Sequence, residues 1–287
     1  MPRDSAAVTR REFLVTSAVA AGVAGYSLAA GPVLANAITT PTTGIVAGMA
    51  AIPAGDRTIP GYRAKPAGAG TPPIVIVVQE IFGLHEYIRD VCRRLAQAGY
   101  LAVAPDLYVR QGDVTQMSDV AEVIRSVVAK VPDAQVMSDL HATAVWAASD
   151  GGDASKLAIT GFCWGGRAVW LYAAHSANLR AGVAWYGRLV GDKSDLLPSY
   201  PIDVASKLRA PVLGLYGAED SGIPLESVER MRAAIAAARG ASRIDIFAGA
   251  PHGFHADYRP SYKPDAADEG WARMLAWFKA NGAGVAR

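Results

Sequence analysis

The feature that most constrains the fold is the segment 161–166, with the sequence GFCWGG. It follows a mainly apolar run, 156–160, that is typical of a β-strand, and it precedes a helix-forming run, 167–175. A strand, a Gly-x-nucleophile-x-Gly turn and a helix together hold a nucleophile on a strained backbone, and the flanking glycines supply the small side chains that this turn requires. The central residue is Cys163, and a thiol at this position indicates acyl transfer through a thioester.

The N-terminal residues 1–37 have the pattern of a twin-arginine signal peptide. Arg10 and Arg11 precede an apolar stretch, 15–30, and Ala35-Asn36-Ala37 supplies an A-x-A cleavage site. The alternative is a membrane-anchoring helix, but the stretch is rich in Ala and Gly and short for a span of about 20 strongly apolar residues. We predict cleavage after Ala37, no stable membrane insertion after processing and a periplasmic or secreted location. The twin-arginine export machinery is then a partner during secretion.

The rest of the chain alternates strand-like and helix-like runs. The β-branched run 74–78 is typical of a central parallel strand that is buried on both faces. Residues 38–56, rich in Thr, Pro and Gly, are predicted to be a linker, and 57–287 a single catalytic domain. The alternation implies a mostly parallel sheet with helices on both faces. Further strands are predicted at 57–66, 100–104, 157–160, 181–186, 211–216 and 243–247, and helices at 87–98, 119–130, 135–149, 167–175, 226–239 and 269–280.

Charge and cysteine content argue against some classes of function. The formal net charge of +2 gives no electrostatic footprint for nucleic acid, so no nucleic-acid partner is expected. The spacing of the two cysteines, Cys92 and Cys163, fits no metal site, and we predict neither a metal nor an organic cofactor.

Cys92 lies in a helical pattern and is predicted to be a buried core residue. A Cys92–Cys163 disulfide is the alternative in an oxidising compartment, and it would abolish the nucleophile.

Two later strand ends supply an acid and a histidine. The loop after the run 212–216 holds Asp220, and the loop after 244–247 holds His252. A thiol is a weak nucleophile until it loses its proton, an imidazole can take that proton, and a carboxylate can fix the tautomer of the imidazole. The chain order nucleophile, acid, histidine, each after a strand, favours Cys163, Asp220 and His252 as one catalytic group. The alternatives are Glu219 for the acid and His85 or His255 for the histidine.

The loop that follows the central strand, 78–83, is where a second oxyanion donor belongs. The backbone N–H groups of Ile81 and of Trp164, the residue after the nucleophile, are the expected pair, and each such donor contributes ~10²–10³-fold in rate. Glu80 lies in the same loop. It is either a loop carboxylate bonded to turn amides or a carboxylate that interacts with the Cys163 thiol.

Four motifs in order resemble the dienelactone hydrolase (carboxymethylenebutenolidase) family. They are QEIFG at 79–83, APDLY at 104–108, GFCWGG at 161–166 and PHGFH at 251–255. The resemblance covers about residues 57–280. It implies an α/β-hydrolase fold and a Cys-His-Asp triad at Cys163, His252 and Asp220.

The resemblance also implies roles for a glutamate and for arginines. Glu80 is implied to contact the resting thiol until an anionic substrate shifts it, since a buried carboxylate disfavours a second negative charge beside it. Arg110 matches one family arginine that binds a substrate carboxylate, and Tyr108 is a substrate-binding candidate in the same region. The second family arginine lies four positions after the histidine, where this chain has Ala256. Arg259 is the candidate replacement.

The sequence therefore predicts a secreted hydrolase that cleaves a small-molecule ester or enol-lactone. Two alternatives stay open. One is a general periplasmic carboxylesterase with another substrate, and the other is a non-catalytic ligand-binding or thiol-sensing protein on the same fold. The sequence specifies neither the substrate nor the oligomeric state.

Overall fold

A computed structural model of the chain describes residues 37–68 and 70–285. The predicted signal peptide, apart from its last residue, Ala37, lies outside these described residues. Within the described ranges, no helix combines the length and the apolar character that a membrane span needs.

The described residues form one eight-stranded, mostly parallel sheet, in the order β1-β2-β4-β3-β5-β6-β7-β8. Strands β3 to β8 pair in parallel with their neighbours, whereas β1 with β2 and β2 with β4 pair antiparallel. The predicted α/β class with a mostly parallel sheet is confirmed. The strands are β1 (Ile45–Pro53), β2 (Thr58–Pro66), β3 (Pro73–Val78), β4 (Leu101–Pro105), β5 (Asp153–Phe162), β6 (Leu179–Trp185), β7 (Val212–Gly217) and β8 (Arg243–Phe247).

Helices connect and cover the strands. All six residues of β3 and all six of β7 are buried. Because successive strand residues point to opposite faces, both faces of the sheet are covered at these strands. The α-helices are α1 (Glu86–Gln97), α2 (Val120–Ser126), α3 (Asp133–Ser149), α4 (Trp164–His175), α5 (Pro201–Val204), α6 (Leu225–Ala237) and α7 (Pro264–Ala280).

The strand register brings four predicted site loops to one edge of the sheet. Val78 at the end of β3 lies opposite Gly161 of β5, and Gly217 at the end of β7 lies opposite Phe247 of β8. Because these strands are parallel, the loops that follow them leave the sheet at the same edge. Glu80, Cys163, Asp220 and His252 all lie in or at the start of such loops.

The structure corrects the predicted linker over 38–56. Ile45–Pro53 form the edge strand β1, which pairs with β2 from Ile45 opposite Pro66 to Pro53 opposite Thr58. Four of its nine residues are Ala or Gly and none is polar, so the strand shows no alternation of apolar and polar residues. Its only fully buried side chain is Ile52, which belongs to the main core.

If β1 is part of the domain, the two faces of this strand should respond differently to truncation. Ile52→Ala is expected to lower the free energy of unfolding by about 2–4 kcal/mol, because it removes buried methyl groups and leaves a cavity. Met49→Ala, in the same strand but 59% exposed, should change it by less than about 0.5 kcal/mol. Urea unfolding of both variants measures the two changes in the free energy of unfolding. Small and equal changes would show that residues 45–53 act as a linker and contribute nothing to the stability of the domain.

Candidate active site

Cys163 lies on the strained turn that the sequence predicts. It joins β5 to α4 with φ 55° and ψ −113°, in the left-handed half of backbone space that a non-glycine residue rarely adopts. A Cβ atom added to Gly161 would lie 2.5 Å from the carbonyl oxygen of Gly165. One added to Gly165 would lie 2.5 Å from the carbonyl oxygens of Val78 and Gln79. Both glycines are therefore required by close backbone approach, and the nucleophile turn packs directly on the end of β3.

Asp220 and His252 meet at the same edge of the sheet. Asp220 Oδ2 lies 2.7 Å from His252 Nδ1, while its Oδ1 accepts hydrogen bonds from the N–H groups of Gly222 (2.9 Å) and Ile223 (3.1 Å). Burial alone would lower the pKa of His252, but the negative charge at Cys163 and the hydrogen bond to Asp220 outweigh burial and raise this pKa to about 10. The structure thus brings together the three residues that the sequence singles out.

The alternative acid and histidines occupy other positions. Glu219 is exposed, whereas the neighbouring Asp220 is buried. His255 is buried among aromatic rings, with Nδ1 2.6 Å from the Tyr87 hydroxyl, and burial lowers its pKa to about 3. The structure therefore makes His255 a neutral core residue. His85 lies with Nε2 3.6 Å from the carboxylate of Glu80.

Glu80 is fully buried and is held by two donors. Its Oε2 accepts a hydrogen bond from the Tyr258 hydroxyl (2.6 Å), and its Oε1 accepts one from Arg259 Nη2 (3.1 Å). Burial alone would raise the pKa of Glu80, but the charge of Arg259, together with His85 and Tyr258, lowers it to about 2. The carboxylate is therefore ionised, and its charge is matched by a guanidinium. The predicted contact of Glu80 with the resting thiol stays a prediction.

Arg259 occupies this site although its position departs from the family spacing. Its guanidinium lies 5.1 Å above the ring of Phe82, and its Nε donates to the Tyr258 hydroxyl at 3.0 Å. Ala256, at the position where the resemblance implies an arginine, is fully buried. Tyr258 was not identified from the sequence. Its only signal is its place next to Arg259, downstream of the histidine motif.

The two predicted oxyanion donors lie on segments that touch each other. Ile81 belongs to a tight turn in which Gly83 N–H donates to the carbonyl oxygen of Glu80 at 3.3 Å. Trp164 is the first residue of α4, where backbone N–H groups have no partner within the helix. The close packing of the next residue, Gly165, against the end of β3 places this helix start beside the turn.

The two remaining substrate-binding candidates differ in their surroundings. Tyr108 is fully buried, and its ring meets the Trp164 ring edge to face at 5.1 Å between centroids, so it lies beside the nucleophile turn. Arg110 donates instead to Asp139 (2.6 Å) and Asp56 (2.5 Å). The structure therefore gives Arg110 two carboxylate partners and does not pair it with Glu80.

Both cysteines are thiols, so the alternative of a Cys92–Cys163 disulfide is not realised. Cys92 is buried in α1 as predicted, and burial raises its pKa. Within residues 37–68 and 70–285, no cluster of three His, Cys, Asp or Glu side chains is placed to hold a metal ion.

A mostly parallel sheet covered by helices, with Cys163 on a strained turn after β5, Asp220 after β7 and His252 after β8, is an α/β-hydrolase fold, as the sequence predicts. The model of the dienelactone hydrolase family matches residues 59–282, and the chain belongs to this family. It is therefore a hydrolase of the dienelactone hydrolase type.

Known relatives extend over most of the chain. A protein of Escherichia coli (strain K12), described as "Putative carboxymethylenebutenolidase", is 53% identical over 259 residues, covering 90% of this chain and 96% of the relative. A protein of Methylorubrum extorquens with the same description is 52% identical, covering 96% of this chain and 94% of the relative. A crystal structure described as "Putative Dienelactone Hydrolase" from Klebsiella pneumoniae has 57% identity and a TM-score of 0.81, covering 82% of this chain and 98% of that one.

The Glu80–Arg259 pair generates a stability prediction. Arg259→Met alone should lower the free energy of unfolding by about 3–5 kcal/mol, because it leaves a buried carboxylate without its cation. The double variant Glu80→Gln/Arg259→Met should lose less than Arg259→Met alone, since no uncompensated charge remains. Urea unfolding of the two single variants and the double variant measures this coupling, and additive losses would show that the pair is not coupled.

Proposed function

We propose that this chain is an exported hydrolase of carboxylic esters or enol-lactones that acts through a Cys163-His252-Asp220 triad. The observation that carries the proposal is the 2.7 Å contact between Asp220 and His252, with the pKa of His252 raised by the charge at Cys163. A carboxylate-oriented imidazolium beside a thiolate is the charged state in which a cysteine attacks a carbonyl. The family membership and the relatives described as carboxymethylenebutenolidases support the ester or lactone class.

In the proposed reaction, Cys163 Sγ attacks the carbonyl carbon and the carbonyl electron pair moves to oxygen. The N–H groups of Ile81 and Trp164 hold this oxyanion. As it collapses, the ester C–O bond breaks and the leaving alcohol or enol takes the proton of His252. Water then attacks the thioester while His252 takes a proton from it, and the C–S bond breaks. The carboxylic acid leaves, and the thiolate and the imidazolium are restored.

The charges around Glu80 favour a substrate that carries a carboxylate. Arg259 is buried, and its guanidinium donates hydrogen bonds to Glu80 and Tyr258. A substrate carboxylate can exchange with Glu80 as the partner of Arg259, since both groups suit a guanidinium. Tyr108, beside the nucleophile turn, is the proposed second substrate contact. Arg110 would take part only after giving up Asp56, which is largely exposed.

Export is part of the same proposal. The twin-arginine pattern and the A-x-A site in residues 1–37 support passage through the twin-arginine machinery, cleavage after Ala37 and a periplasmic or secreted location. A twin-arginine substrate crosses the membrane already folded, so Cys163, which is 1% exposed, would be enclosed before it meets an oxidising compartment.

Replacement of the two cysteines separates catalysis from folding. Cys163→Ala should lower kcat/KM on activated esters and enol-lactones by at least about 10⁴-fold, because no nucleophile remains to form the thioester. Cys92→Ala, which removes the other buried thiol, should keep kcat/KM within a few-fold. Steady-state assays with cis- and trans-dienelactones and simple p-nitrophenyl esters measure both. Full turnover by Cys163→Ala would refute the triad, and absence of turnover in the unmodified protein would favour the ligand-binding or thiol-sensing alternative.

In the proposed mechanism, the protonated state of His252 beside Cys163 also sets the alkaline limit of activity. The pKa of His252 is raised from 6.5 to about 10 in the folded protein, so the stabilisation from its protonated form is complete below about pH 6.5 and is lost as pH rises through about 10. We expect kcat/KM to fall in that upper range, because neutral His252 cannot give a proton to the leaving group. Asp220→Asn should move the fall to lower pH, since the carboxylate that helps to hold the proton is gone. Blank-corrected pH–rate profiles measure this, and coincident alkaline limbs would contradict the assignment.

A further inference from the structure

The chain segment directly after the predicted cleavage site is bound to the domain by its backbone. Ile38 N–H donates to Asp257 Oδ1 at 3.4 Å, although the Ile38 side chain is largely exposed. Two residues later, Thr40 N–H donates to Asp90 Oδ1 at 2.5 Å, and the Thr40 hydroxyl donates to Asp90 Oδ2 at 3.2 Å. The position of Ile38 is therefore set by acceptors of the folded domain and not by burial of its side chain.

The acceptors belong to a charge cluster that lacks one positive charge. Arg93 donates to Glu86 and Asp90, and Arg94 donates to Asp90 and Asp257. These contacts join three carboxylates to two guanidinium groups, which leaves a net charge of −1. Asp257 has a side chain only 2% exposed, and burial raises its pKa even though Arg94 Nη2 lies 2.5 Å away. A buried carboxylate that shares its guanidinium partner with another carboxylate can bind a further cation.

Leader removal would create a cation at this point. The A-x-A pattern ends at Ala37, so hydrolysis of the Ala37–Ile38 peptide bond by a leader peptidase adds one water molecule. The bond breaks into a carboxylate on Ala37 and an α-ammonium group on Ile38. An α-amino group has an ordinary pKa of about 7.7–8.0 and is protonated at pH 7.

We propose that the carboxylate of Asp257 is the binding site for the α-ammonium group of Ile38 that leader removal produces. In the unprocessed chain the same nitrogen is a neutral amide donor at 3.4 Å. After processing it carries the charge that the cluster of Glu86, Asp90, Arg93, Arg94 and Asp257 lacks, and the hydrogen bond becomes charge-assisted, hence shorter and stronger. Asp257 lies two residues before Arg259, so the new ion pair fastens the loop that carries the partner of Glu80. This inference rests on the proposed export and is independent of the hydrolytic mechanism.

The first measurement is the N-terminus of the exported protein. The full-length precursor is expressed in a bacterium with an active twin-arginine pathway, and intact mass and N-terminal peptide analysis are made on the exported product. The expected first residue is Ile38. Absence of exported protein would overturn both the export proposal and this inference. A retained leader or a different first residue on the exported product would overturn cleavage after Ala37 and this inference, and would leave export itself intact.

The second measurement is a thermal double-mutant cycle. The processed protein is compared with the full chain kept unprocessed by Arg10→Lys/Arg11→Lys, each with and without Asp257→Asn. The measured quantity is the rise in Tm on leader removal. With Asp257 present, this rise should be larger by roughly 2–4 °C than the rise measured with Asp257→Asn. Asp133→Asn, which breaks another Asp–Arg pair, with Arg167, is the matched control and should leave the wild-type difference unchanged. An equal difference in the Asp257 and Asp257→Asn backgrounds would overturn the ion pair while leaving the export proposal intact.

Discussion

The close approach of the nucleophile turn to the end of β3 is the constraint on which the site depends. Gly165 lies so near the carbonyl oxygens of Val78 and Gln79 that no Cβ fits between them. This contact fixes the start of α4 against the loop that carries Glu80 and Ile81. It also forces Cys163 into the left-handed region, where its side chain stands at the carboxyl edge of the sheet. A backbone held by strand pairing on one side and by a helix on the other can sustain this strain.

The second constraint is electrostatic, because the carboxylate of Glu80 is fully buried and still ionised. Glu80 is ionised, with its pKa lowered to about 2, and the charge of Arg259 compensates it. His252, with its pKa raised to about 10, is the protonated partner of Asp220 at 2.7 Å. Each anion therefore has its own cation. In the proposed mechanism, a thiolate at Cys163 then forms beside groups whose charges are already balanced, which lessens the cost of a further negative charge.

The sequence was sufficient for the parts of the fold and site that depend on strand ends. Cys163, Asp220 and His252 each follow a strand that the sequence pattern predicts, and parallel pairing brings such ends to one edge. The strand β1 was missed because its sequence has no alternation of apolar and polar residues. The helix α7 begins at Pro264, five residues before the predicted 269, because a proline at the first turn starts this helix. The ion pairs of Arg110 could not be read from spacing, since they join segments that are distant in the sequence.

The departure at Ala256 has a geometric explanation in the loop that follows the histidine. The backbone turns repeatedly at three-residue intervals: Ala256 N–H donates to Gly253 O, Arg259 N–H to Ala256 O and Tyr262 N–H to Arg259 O. In tight turns of this kind, residues three apart tend to lie on the same side of the chain. Arg259 lies on this run of turns three residues after Ala256, and its guanidinium reaches Glu80. The run of turns therefore places a guanidinium beside Glu80 from a position seven residues after His252.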